Sequence, residues 1–369
     1  MPQDTTARND HFVALDGSRG IGALLIVCGH ALDETGRTEW VPHMQAGVDL
    51  FFALSGFVVG MAYQPRLEAG ISFGDYAIRR LIRLWSLMPL AVAWGASTYL
   101  LKMLLHGQAS PLSVLGSLML NLSFLPSPLL QEYSGELGWA INVPLWSLSS
   151  EMFVSLLFGL VFWKVRSRTL LIWAALGAVG FALCALRAHD TNLGACLNEL
   201  DATLVRPIYP FCIGLVMWRV TRGRRPVGRI PSSLVLGLSV VLLCVPRIAP
   251  KESALDLWFG LILAFVAMPA MLYMLAFMSR TSERSRRVLR LLGEASFPVY
   301  VLHFPLIMVV HFAAKRVGLL EQPALLLAID VALAFALGLA AARFYDAPTR
   351  DWLTRLSKRR AALLALKRS

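Results

Sequence analysis

The stretch SRGIGALLIVCGHA, residues 18–31, reads as the opening of a membrane helix, yet it holds Arg19 and His30. Ionisable side chains are costly in so apolar a segment, and where they occur they mark functional sites inside helix bundles. Eleven residues of α-helix rotate through about 1,100°, so the two side chains point within about 20° of one another and lie about 16 Å apart along the axis. Arg19 then stands near one membrane face and His30 near the middle, both on one side of the helix.

The rest of the chain fits that setting. Of its 369 residues 57% are hydrophobic and 16% charged, with a mean hydropathy of +0.61. Soluble domains have about 45–50% apolar and about 25% charged residues. Long apolar runs recur from end to end, which indicates an all-α polytopic membrane protein; a transmembrane barrel shows short alternating segments instead. No soluble stretch is long enough to bury a core of its own, so one membrane domain is expected over 19–348. A short polar segment (1–18) precedes it and a basic tail (349–369) follows. Cys28, Cys184, Cys196, Cys212 and Cys244 follow no metal or disulfide spacing, and the four that lie in apolar runs read as small core residues. No small-residue cleavage site follows the first apolar run, so the first helix is expected to stay uncleaved.

Apolar runs place helices near 19–36, 46–64, 84–105, 144–163, 169–187, 202–220, 231–249, 255–278, 295–314 and 323–343. With both termini in the cytoplasm, 27 of the 35 Lys and Arg residues fall on the inner side, as the positive-inside rule requires. Counting 113–126 as a further crossing inverts everything downstream and puts the basic loops outside. That run is also short for a crossing, which takes roughly 17–25 residues. It is therefore expected to be re-entrant or interfacial. The +12 net charge is accounted for by loops facing anionic headgroups, and no nucleic-acid partner is called for. The basic, amphipathic tail RLSKRRAALLALKRS (355–369) is expected on the inner membrane surface.

Further polar groups recur inside the predicted spans. Asp49 and Ser55 lie in GVDLFFALSGF, Glu151 in VPLWSLSSEMF, and His303 in ASFPVYVLHFP. His30, Glu151 and His303 are expected to approach mid-membrane from three different helices. A buried carboxylate with two imidazoles suits proton transfer, because neutral histidine accepts a proton near physiological pH; a pair of structural ion bridges is the competing reading. Neither histidine has a second histidine or a cysteine at i+3 or i+4, so no metal is expected. In YAIRRLIRLW (76–85), Arg79, Arg80 and Arg83 are neighbours on a helix. Such a cluster serves either as a positive-inside anchor or as a phosphate grip.

Taken in order, these segments resemble the acyltransferase-3 family of integral membrane acyltransferases. The resemblance runs from LDGSRGIGALLIVCGH to YDAPTRDWL. It rests on Arg19 and His30 with ten residues between them, on GVDLFFALSGFVVG, and on the Arg-x-x-Arg of Arg80 and Arg83. It is completed by PLWSLSSE ending in Glu151, and by SFPVYVLHFPL with Tyr300 and His303. The family pattern has Glu-x-Pro near the end, where this chain has Asp346-Ala347-Pro348. Membership implies about ten transmembrane helices in the bacterial inner (cytoplasmic) membrane. It implies an acyl-coenzyme A co-substrate, acetyl-coenzyme A above all, and a carbohydrate or lipid-linked glycan acceptor at or beyond the outer face. Arg19, Arg80 and Arg83 are then expected to hold the donor's phosphates by charged hydrogen bonds. His30 is expected to act as general base on the acceptor hydroxyl, with Glu151 orienting it or binding the sugar. Asp49, Ser55, Tyr300 and His303 are further candidates. Some members carry an extracytoplasmic hydrolase-like domain; without one, this chain is expected to complete transfer itself or with a separate periplasmic partner.

A multi-span transporter or flippase shares the helix count and the buried charges. It is disfavoured by the lack of a repeated half with matching broken helices. A lipid-facing sensor has no use for Arg19, His30, Glu151 and His303 inside the bilayer.

Overall fold

The first apolar run folds as α1, Thr5–Asp33, which begins well before the expected start at residue 19. The reason lies in its partner, α13, Glu283–Arg316, which is also longer than the expected 295–314. At the arginine-rich end Val13, Ala14 and Leu15 are buried, and Gly17 and Gly20 lie against Leu289 and Leu292, while Gly293 lies against Asp16. A Cβ at Gly20 would come to about 2.5 Å from the Leu292 carbonyl oxygen. Glycine here is what allows the two backbones to approach. The two helices therefore run parallel and hold each other in helical form beyond the apolar core.

The computed structural model describes residues 5–106, 110–131, 136–224, 227–245 and 253–366. Residues 1–4 of the polar N-terminal segment, 246–249 of the seventh expected span and 367–369 of the tail lie outside them. Between α1 and α13 come α2 (Ala46–Glu68), α3 (Phe73–Trp85), α4 (Met88–His106) and α5 (Pro111–Leu122). They are followed by α6 (Leu145–Leu157), α7 (Ser167–Ala188), α8 (Leu200–Val205) and α9 (Ile208–Thr221). The remainder are α10 (Ser232–Cys244), α11 (Ala254–Ile262), α12 (Met268–Tyr273), α14 (Pro323–Ala341) and α15 (Ala347–Leu366). Among the described residues eight helical stretches are long and apolar enough to cross a membrane. With α1 and the shorter α10 they occupy the ten expected positions, and the fold is an all-α polytopic membrane protein.

Two of the departures from plain α-helix bear on the site. The run 113–126 forms α5, whose 12 residues span only about 18 Å. Its end is held by the Trp85 Nε1, which donates to the Leu122 carbonyl at 3.1 Å. Ser149 of α6 donates to the Phe124 carbonyl at 2.6 Å. Phe124 turns the chain at φ +60, and β1 (Ser127–Gln131) leads back to pair antiparallel with β2 (Leu137–Gly138). α5 is buried along one face only, at Val114, Ser117 and Asn121, and Leu112, Leu115 and Met119 on its other face are exposed, so protein does not surround it on all sides. The second departure is a π turn over Ala342–Asp346 joining α14 to α15. The tail is therefore a continuation of the last span, packed against α3, and the π turn sends Asp346 inward. There its carboxylate accepts from Ser86 Oγ at 2.5 Å and stands 3.9 Å from Arg83.

Candidate active site

Five helices line the site: α1 supplies Arg19, α2 supplies Ser55, and α3, α6 and α13 each contribute a polar stripe. On α3 the buried residues are Tyr76, Arg80 and Leu84, spaced one helical turn apart. That face turns inward and takes Arg80 with it. Arg79 stays exposed and Arg83 sits at the boundary, so the arginines adjacent in sequence have three different environments. On α6 the stripe is Ser147, Glu151 and Ser155, again at i, i+4 and i+8. On α13 it is Ser296, Tyr300 and His303.

The stripes interlock. Glu151 Oε1 accepts from Ser55 Oγ at 2.8 Å and from an Arg80 NH2 group at 2.8 Å. The same nitrogen donates to Ser155 Oγ at 3.0 Å, and Tyr76 OH donates to the Ser155 carbonyl at 2.8 Å. Glu151 Oε2 has no hydrogen-bond partner among the described residues. One turn along α6, Ser147 Oγ and Tyr300 OH are 2.5 Å apart. Between these groups lies a cavity lined by Arg19, Ser55, Arg80, Arg83, Glu151 and Tyr300, with Phe51, Phe52 and Phe297 among its apolar walls. It encloses about 790 Å³ of empty space, its open mouth included. Six of the nine candidates thus share one chamber.

The two histidines lie beyond its Tyr300 end. The His303 ring centroid is 6.0 Å from that of Tyr300 and 5.3 Å from that of His30. The α1–α13 pairing explains this: Gly20 lies against Leu292, and one parallel helical stretch further on His30 meets His303. His303 Nδ1 approaches the Tyr300 and Val299 carbonyls at 2.8 and 3.1 Å. Carbonyls only accept, so Nδ1 carries a proton, and in the neutral ring Nε2 holds a bare lone pair. That Nε2 is buried without a partner among the described residues. Pro305 leaves the Val301 carbonyl without its helical donor, and Asn142 Nδ2 replaces it at 2.8 Å. On the far side of the pair, Phe304 meets the His30 ring edge-on at 5.4 Å and also lines a small second cavity with Tyr99, Ile141 and Met308.

Sequence reasoning placed some groups differently. Glu151 is partnered by Arg80 and Ser55, and the two histidines pair with each other. Arg80, expected at the donor's phosphates, is buried in that ion pair, although it still lines the cavity. Asp49 is elsewhere: Arg206 grips it bidentately, Nε to Oδ1 at 2.9 Å and NH2 to Oδ2 at 3.0 Å. Arg206 also donates to the Leu193 and Gln45 carbonyls and lies over the Phe181 and Trp146 rings. Asp49 is a structural anchor. Reasoning from sequence missed Arg206 and Ser147, as well as a second buried pair in which His311 Nε2 stands 2.7 Å from Asp330 Oδ2. The i+4 spacing of Ser147, Glu151 and Ser155 was the available signal for the α6 stripe. Among the described residues no cluster of histidine, cysteine and carboxylates could hold a metal ion.

A chamber with cations at its mouth, a carboxylate on its wall and a bare imidazole nitrogen beyond suits group transfer to a hydroxyl. A family model described as an acyltransferase domain, of the acyltransferase-3 type, matches residues 12–343. The chain belongs to the acyltransferase-3 family. The span matched by this family holds all nine candidate residues. The chain is 34% identical over 183 residues to "Protein 2 in picA locus" of Rhizobium radiobacter, covering 46% of this chain and 93% of that protein. It is 28% identical over 293 residues to "Acyltransferase MdmB" of Streptomyces mycarofaciens, covering 73% of this chain and 69% of that one. No solved structure matches this acyltransferase-3 member.

Proposed function

We propose that this membrane acyltransferase moves an acetyl group from cytoplasmic acetyl-coenzyme A to a hydroxyl of a cell-surface or exported carbohydrate, in the bacterial inner membrane. The observation that carries the reading is the chamber running from Arg19 and Arg83 at the basic end to Tyr300, with the His30–His303 pair beyond. A coenzyme A thioester has anionic phosphates at one end and its reactive carbonyl at the other, on a long flexible arm. Guanidinium groups at the mouth fit the phosphates, and the roughly 16 Å rise from Arg19 to His30 leaves room for the arm.

In the direct mechanism, His30 removes the proton from the acceptor hydroxyl as its oxygen attacks the thioester carbonyl. The C–S bond breaks, the thiolate of coenzyme A leaves, and the proton passes from His30 to that sulfur. His303, held as the Nδ1–H tautomer, keeps a neutral partner beside His30 and offers Nε2 to share the proton. Glu151, neutralised through Oε1 by Arg80, turns Oε2 toward the bound substrates as a hydrogen-bond acceptor. The small cavity beside Phe304 supports an approach of the acceptor from the other side of the histidine pair.

The test is twofold. Purified protein in detergent should consume acetyl-coenzyme A and release free thiol when a hydroxyl acceptor is present, whereas a transporter leaves the thioester intact. Surface glycans of a deletion strain should lose acetyl mass relative to the parent. Intact thioester together with unchanged glycan mass overturns the proposal.

A further inference from the structure

Three cavities share Arg83. The first is the active-site chamber, and the third lies beside Asp346 and Arg343. The second lies between α3 and α15, is lined by Arg79, Arg83, Arg350 and Lys358 together with Tyr63 and Asp75, and encloses about 830 Å³ with its mouth. Its charge balance is one-sided. Asp75 is its one carboxylate, and it is engaged at the start of α3: Ser72 Oγ donates to Asp75 Oδ2 at 2.8 Å and accepts from the Asp75 backbone N–H at 3.0 Å. Arg350 and Arg83 share Asp346, at 3.7 and 3.9 Å. Arg79 and Lys358 form no ion pair with the described residues. A concave site carrying two uncommitted cations, with two more at its edge, recognises a compact anion of high charge.

We infer that this cavity binds the phosphomonoester of the donor's nucleotide end, the 3′-phosphate of coenzyme A, with Arg79 and Lys358 as its ligands. The inference rests on the proposed function and adds to it a subsite completed by the last helix. Arg350 and Lys358 lie on α15, beyond residue 343, where the family match ends. Geometry supports the division of labour. The chamber and this cavity meet at Arg83, so a donor whose arm lies in the chamber leaves its nucleotide at the α3–α15 groove.

The test uses the full-length protein in phosphatidylcholine nanodiscs, with calorimetric affinities for coenzyme A and for 3′-dephospho-coenzyme A. The wild type should prefer coenzyme A by about tenfold, the low end for a charged hydrogen bond. The double variant Arg79→Ala/Lys358→Ala should lose that preference, binding coenzyme A about tenfold more weakly and the dephospho form as before. Lys358→Arg, which keeps the charge, should retain it. Thermal melting of each variant controls for folding; should the double variant melt early, Lys358→Ala against Lys358→Arg decides alone. An undiminished preference in the variants overturns the subsite and leaves the proposed function standing. So does phosphatidylglycerol that copurifies with the wild type and not with the double variant, because the groove then holds a lipid headgroup. A wild type that binds neither nucleotide overturns the proposed function itself, and this inference with it.

Discussion

Arg80 and Glu151 meet at 2.8 Å across two helices, and the carboxylate oxygen they share also accepts the Ser55 hydroxyl. The side chains are 8% and 24% exposed, so the pair sits where each charge depends on the other. Removing one partner strands the second in a low-dielectric setting. Arg80→Ala should destabilise the protein by about 3 kcal/mol, at the lower end for breaking a buried pair because Glu151 keeps some solvent contact. Arg83→Ala, at the half-open mouth, should cost clearly less. Thermal melting of both variants in one detergent checks the ranking.

Glu151→Gln separates charge from shape. The amide oxygen can still accept from Ser55 and Arg80, but the neutral side chain leaves the buried guanidinium without its counter-charge, so the melting temperature should fall and transfer is measured on the folded fraction. The Oε2 position then becomes an NH2 group and changes from acceptor to donor. Transfer should fall while donor affinity stays near wild type. Full activity in this variant makes the carboxylate a structural partner of Arg80 and removes it from the chemistry.

Asp49 should behave in the opposite way. Its two oxygens are taken by Arg206, which is 1% exposed and spans the Gln45 and Leu193 carbonyls. Asp49→Ala leaves a buried guanidinium without its counter-charge and should cost about 3–5 kcal/mol. Whatever protein still folds should transfer at a normal rate. Comparing the specific activity of the folded fraction with its melting point separates the two effects.

The helices were legible because apolar runs of spanning length leave few alternatives, and α5 was legible through charge balance. The site was legible only in part. Arg19, Ser55 and Glu151 were found as polar residues out of place in apolar segments, Arg83 in a basic cluster and Tyr300 through the family resemblance, and they do share a chamber. Their pairings were not readable, since a spacing along one helix says nothing about which distant helix lies opposite. Arg206, far from Asp49 in sequence, illustrates this. So does Arg80, which local periodicity grouped with Arg83 but which the Tyr76–Arg80–Leu84 face carries inward. The extra turns of α1 and α13 were hidden for a related reason. Their residues are polar, and they are helical because Gly17, Gly20 and Gly293 let the two backbones pack.

That packing is itself testable. Gly20→Val introduces a Cβ about 2.5 Å from the Leu292 carbonyl oxygen and forces α1 and α13 apart. Overpacking of this kind costs about 1–3 kcal/mol, and it should also move His30 away from His303. Activity should therefore fall more than the stability loss alone explains. Gly36→Val, in a loop where nothing lies within 4 Å but φ is +70, is a control for backbone strain away from the site.

The opening stretch carries the sharpest prediction, because its two ends should fail differently. If Arg19 holds phosphate, Arg19→Ala should weaken acetyl-coenzyme A binding by about 1.5–3 kcal/mol, the range for one charged hydrogen bond. Arg19→Lys should restore only part, since it keeps the charge and loses the planar fork. If His30 is the general base, His30→Ala should keep most donor affinity and lose on the order of 10²–10⁴ in rate. His303→Gln retains an amide N–H and tests the tautomer argument: the rate should fall with donor affinity preserved, and by less than in His30→Ala. Donor affinity and turnover are measured for all four variants in one membrane preparation, with folding checked by thermal melting. A uniform loss of stability with no split between affinity and rate makes the α1 face a structural seam, and the catalytic assignment of His30 fails.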